Sequence, residues 1–75
     1  MTDYGVKDKE PLLLPDINLH GMTVDLVTWQ SGVKFARFYR DGVHHDAPLS
    51  IITSPQGQQA VDAIRNTFDY YKESA

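Results

Sequence analysis

The chain has 75 residues, 41 % of them apolar and 23 % charged, with a formal net charge of −3 and no cysteine. At this length it makes one domain that buries only about 60 % of its unfolded surface, which leaves little room for a deep catalytic cleft. The composition excludes a disordered chain, and the lack of cysteine excludes a disulfide framework, a thiolate metal site and a thiol nucleophile.

Residues 1–11 are polar and charged and end at Pro11. Such a stretch cannot bury enough apolar surface to offset its own ordering, so it is expected to be a flexible leader ahead of a single domain at 12–75. It lacks the basic-then-apolar order of a secretion signal. The longest wholly apolar run, Leu12-Leu13-Leu14, falls far short of the ~20 residues of a membrane-spanning helix. A cytoplasmic protein without membrane attachment is the expectation. Leu12 to Leu19 carries Pro15 in an apolar segment and reads as an extended edge element, and His20-Gly21 reads as a turn.

From Met22 the pattern alternates with a period of two and is rich in β-branched and aromatic residues, which predicts a strand. Ser31-Gly32 supplies a turn, Val33 to Arg40 a second strand, and Asp41-Gly42 a second turn. Val43 to Asp46 extends a strand or forms a loop, and Leu49 to Thr53 reads as the third core strand, started by Pro48. The last third reads as a helix from Pro55 to Glu73 capped by Ser54. Val61, Ile64, Phe68 and Tyr71 recur at spacings of three and four, and Arg65 and Asp69 form an i,i+4 pair outside that stripe. The expected fold class is α+β: an antiparallel β-meander of three strands, or four with residues 12–19, packed on one C-terminal α-helix.

A two-residue turn at Ser31-Gly32 pairs Trp29 with Lys34 and Thr28 with Phe35 down the ladder, and paired side chains share a face. One face then collects Val24, Leu26, Thr28, Val33, Phe35 and Tyr39 and matches the helix stripe. The other collects Asp25, Val27, Trp29, Lys34, Ala36, Phe38 and Arg40. A domain with one helix covers one face, so the second is either covered by residues 12–19 folding back or left for a partner. In the latter case Trp29, Phe38 and Val27 are the expected anchors and Lys34 and Arg40 the orienting cations, since rigid aromatics and Arg carry most interface energy.

Other constellations point less far. Val43-His44-His45-Asp46, with His20, holds metal-ligating types, but adjacent residues of an extended chain point to opposite sides, so neither metal nor cofactor is expected. Ser31, Ser50 and Ser54 lie in no strained nucleophile turn, and no carboxylate pair has a spacing that defines a mechanism, so no enzyme is expected. Ser54-Pro55-Gln56-Gly57 has the form of an anion-binding helix start, but an ordinary cap accounts for it. Tyr70 falls off the core stripe and is expected at the surface.

The expected function is therefore that of a small non-enzymatic binding protein, of the phage-like regulatory or inhibitory accessory class, docking its outer sheet face on another protein or on a second copy of itself. Trp29, Arg37 and Arg40, set in the order strand, Asp41-Gly42, strand, Ser54-Pro55, helix, resemble the layout of plant AP2-type and integrase arm-binding domains. That resemblance implies a DNA-binding sheet with Trp and Arg in the groove. The acidic balance, with no basic segment along the chain, departs from it.

Overall fold

The computed structural model describes residues 5–74, with side chains described over 5–70. Among these the chain forms β1 (Val6–Pro11), β2 (Thr23–Trp29), β3 (Lys34–Arg40), β4 (Val43–Pro48), a short α1 (Leu49–Ile52) and α2 (Gly57–Ser74). The strands lie in the order β1-β2-β3-β4, every neighbour antiparallel, so the sheet is a meander with the C-terminal helix packed on one face. This is the α+β architecture expected from the sequence, reached through a different fourth strand.

The fourth strand is β1, drawn from what reads as a leader. Val-Lys-Asp-Lys-Glu-Pro is exposed except at Val6, so its ladder to β2 holds it in place rather than burial. A charged strand that ends in proline is a common way to blunt a sheet edge, which is why composition alone suggests disorder here. Residues 1–4 of the expected leader lie outside the described residues.

Residues 12–19 are not a strand. They connect β1 to β2, and Leu12, Leu14, Ile17 and Leu19 pack against the helix-side core. They therefore do not fold back over the opposite sheet face.

The hairpin register differs from the expected one by a single residue. Trp29 N–H donates to the Val33 carbonyl at 2.9 Å, and Gly32 N–H donates to the Trp29 carbonyl at 2.8 Å. The loop thus holds three residues, Gln30, Ser31 and Gly32, with Gly32 at φ 90°, the arrangement of a turn followed by a left-handed glycine. The ladder becomes Thr28 with Lys34, Val27 with Phe35, Leu26 with Ala36, Asp25 with Arg37 and Val24 with Phe38. A shift of one residue sends every β3 side chain to the other face. β2 keeps its expected orientation, whereas β3 is inverted: Phe38, Ala36 and Arg40 face the helix, and Phe35, Arg37 and Tyr39 face away.

The third core strand is β4, not Leu49 to Thr53. The Asp41-Gly42 turn pairs Arg40 directly with Val43, so the ladder runs out at Pro48 opposite Phe35, close to the end of β3. Leu49 to Ile52 then has no strand left to pair with and coils into α1. Thr53 N–H and Oγ1 both donate to the Leu49 carbonyl, at 2.9 and 3.0 Å, and Ile52 turns into the core.

α2 begins two residues later than expected. Ser54 Oγ donates to the Ile51 carbonyl at 2.6 Å and accepts from Gln56 N–H at 3.2 Å. Ser54 therefore closes the turn between the two helices. A Cβ on Gly57 would collide with the Ile52 carbonyl oxygen, so glycine is what lets α2 start this close to α1. Val61 and Phe68 join Met22, Val24, Ala36, Phe38, Ala47 and Ile52 in the core, with Ile64 at its edge. The Tyr71 side chain, expected on this stripe, lies outside the described side chains.

Candidate functional site

The sheet face turned away from α2 is built from alternate residues of four strands. β1 contributes Lys9, β2 Asp25, Val27 and Trp29, β3 Phe35, Arg37 and Tyr39, and β4 His44 and Asp46. Among the described residues, α1, α2 and segment 12–19 all pack on the other side. The Trp29 and Phe35 rings meet edge to face with centroids 6.4 Å apart. Beside them lies an open depression of about 500 Å³ lined by Gly5, Trp29, Gln30, Ser31, Val33, Phe35 and Asp46. Val33, beside the turn, is half exposed at 51 %.

Below the depression the face has its own small core. Val27 is fully buried and Arg37 is 2 % exposed. Arg37 donates from Nε to Asp46 Oδ1 at 2.8 Å and from Nη2 to Oδ2 at 3.2 Å, a bidentate pair. Asp25 is its neighbour on β2. Lys9 Nζ sits 5.8 Å from the Tyr39 ring centroid, and His44 meets the same ring edge-on at 6.0 Å. Two buried polar atoms of this face, Trp29 Nε1 and Tyr39 Oη, have no hydrogen-bond partner.

Of the residues expected to bind a partner, Trp29 and Val27 lie on this face, Trp29 partly exposed and Val27 beneath it. The other three do not. Phe38 is 0 % exposed and central to the helix-side core. Arg40 Nη1 donates to Asp69 Oδ1 of α2 at 2.6 Å, a shorter contact than the expected Arg65–Asp69 pair at 3.9 Å. Lys34 is exposed but belongs to the helix side of the register. Phe35, Tyr39 and Arg37 take their places on the outer face. The signal that would have located them is the loop length, since Gly32 as the third loop residue inverts β3.

The histidines are dispersed. His44 lies on the outer face, while His45 turns inward and meets Phe68 edge-on at 5.1 Å. Among the described residues no three His, Cys, Asp or Glu side chains group to hold a metal ion. His20 Nε2 contacts Asp62 Oδ1 at 2.7 Å, and Gln58 Nε2 donates to the same oxygen at 3.0 Å. The hydrogen bond with His20, followed by that from Gln58, holds the Asp62 carboxyl below the ordinary carboxylate range. Gln58 also bonds both backbone groups of Asn18. This cluster fastens the β1–β2 connection to α2.

Comparison with known protein families, with curated proteins and with solved structures finds no match to this chain.

Proposed function

We propose that this protein is a non-enzymatic docking module that binds another polypeptide through its outer sheet face, in the manner of small regulatory or inhibitory accessory proteins of the phage-like class, in the cytoplasm. The observation that supports this most is the apolar depression lined by Gly5, Trp29, Val33 and Phe35 on the sheet face opposite α2. Large half-buried aromatics at the centre of a patch are the side chains that carry binding energy in protein interfaces. A buried donor without a partner costs about 1–3 kcal/mol. A docked chain that brings an acceptor to the Trp29 indole edge, with a small shift of the ring, would remove that cost.

Nucleic-acid binding has less behind it. The cations that suggested it are engaged within the chain, Arg37 with Asp46 and Arg40 with Asp69. Binding to duplex DNA that weakens steeply with salt would reinstate it.

Val33 and Val43 are exposed to nearly the same extent, 51 % and 54 %, on opposite faces of the sheet. In affinity capture from native lysate, Val33→Glu and Trp29→Ala are expected to lose the partner and Val43→Glu to retain it. Equal capture by all three would remove the outer face from consideration.

A further inference from the structure

We infer that the free edge of β4 is a strand-addition site whose occupant is β4 of a second copy of this chain, paired antiparallel about a two-fold axis through His45. This contact is made by the sheet rim, and it is independent of docking through Trp29 and Val33.

One hydrogen bond sets the direction of the backbone groups. Trp29 N–H bonds the Val33 carbonyl, and alternate residues of an antiparallel strand turn to alternate neighbours. Phe35, Arg37 and Tyr39 therefore direct their N–H and C=O groups to β2, whereas Ala36, Phe38 and Arg40 direct theirs to Ala47, His45 and Val43 of β4. His44 and Asp46 turn the other way, off the sheet. Among the described residues no backbone group meets theirs. The Asp46 side chain is only 24 % exposed while the residue as a whole is exposed, so what lies open there is its main chain.

The opposite edge is closed. The bond from Leu12 N–H to the Val24 carbonyl sets the same alternation on β1 and turns Lys9 and Pro11 outward. Pro11 has no N–H, and the Lys9 N–H is taken by Asp8 Oδ1 at 2.8 Å. Proline, charge and a register irregularity, here between Val6 and Asp8, are the usual guards of a sheet edge. β4 has no lysine, no irregularity and no proline before Pro48, and it opens on Val43, an apolar residue that is 54 % exposed.

Self-pairing selects one register. Backbone bonds form only between residues that both face outward, so His44 and Asp46 must oppose themselves or each other. With His45 on the axis, His44 of each copy lies opposite Asp46 of the other, and imidazole meets carboxylate at both pairs. Val43 then lies opposite the other copy's Ala47 on the helix side, which covers its exposed side chain. Sliding by two residues sets Asp46 against Asp46 or His44 against His44 and removes both complementary pairs. Each copy supplies the same two residues, so the contact is isologous, closes at two copies and leaves the guarded β1 at both outer ends.

Sedimentation equilibrium of the full chain from about 10 μM to 1 mM, the range suited to a small interface, tests the inference, with amide hydrogen exchange followed by NMR in parallel. The expected result is growth from 8.5 kDa toward twice that mass, with the His44 and Asp46 amides exchanging more slowly as concentration rises and the Lys9 amide unchanged. His44→Asp, which sets carboxylate against carboxylate at both pairs, should weaken association roughly tenfold. His44→Lys, which sets an ammonium there, should not weaken it, and Val33→Glu should leave it unchanged. A chain that stays at 8.5 kDa throughout overturns the second copy and leaves docking through the outer face standing. A dimer whose His44 and Asp46 amides exchange at the monomer rate overturns the assigned edge, as does one weakened by Val33→Glu and not by His44→Asp. Equal weakening by His44→Asp and His44→Lys overturns the register.

Discussion

Phe38 and Phe35 are three residues apart in sequence and serve opposite sides of the sheet. Phe38 is fully enclosed by the helix-side core, so Phe38→Ala should cost about 3–5 kcal/mol, close to the whole stability of so small a domain. Phe35→Ala, on a partly exposed ring, should cost about 1–2 kcal/mol. Urea unfolding of the two variants would reverse in rank if the two-residue turn were the correct one. Asp62 gives the pH prediction. Its carboxyl titrates lower in the folded chain than in the unfolded one because of His20 and Gln58. The stability it contributes is therefore complete above the unfolded value and lost as pH falls through the folded one. Thermal melts should lose stability below about pH 4, and Asp62→Asn should flatten part of that decline and lower the melting temperature near neutral pH. That Asp62 would find His20, 42 residues away, is not visible in the helix pattern, which marks the position only as outside the stripe.

Among the elements, α2 was the most legible, because its apolar stripe is local information that burial of Val61 and Phe68 reproduces. β2 was legible for the same reason, with a period of two over Val24 to Trp29. β1 was not, since its charged residues are held by hydrogen bonds to β2, a neighbour supplied by tertiary structure. Leu49 to Ile52 looks like a strand by propensity and becomes a helix because β3 ends. The decisive element is the Gln30-Ser31-Gly32 loop. Deleting Gln30 would force the two-residue turn, put Phe38 outside and drive Phe35 and Tyr39 toward α2, so loss of a cooperative unfolding transition is expected. Gln30→Ala keeps the loop length and should stay within about 0.5 kcal/mol of the wild type. At the α1–α2 junction, Gly57→Ala is expected to cost about 1–3 kcal/mol, because the added methyl meets backbone rather than a yielding side chain.

At the scale of the whole molecule, the described residues form two layers, one sheet and one helical layer, and among them no helix is long and apolar enough to cross a membrane. By itself the sequence determined what depends on neighbours along the chain: the α+β class, the turns at His20-Gly21 and Asp41-Gly42, the C-terminal helix and the presence of an aromatic sheet face beyond the helix. Tertiary structure alone decided which aromatics that face carries, because β3 can turn either way on one loop residue. Closing the core around Phe38 selects between the two registers.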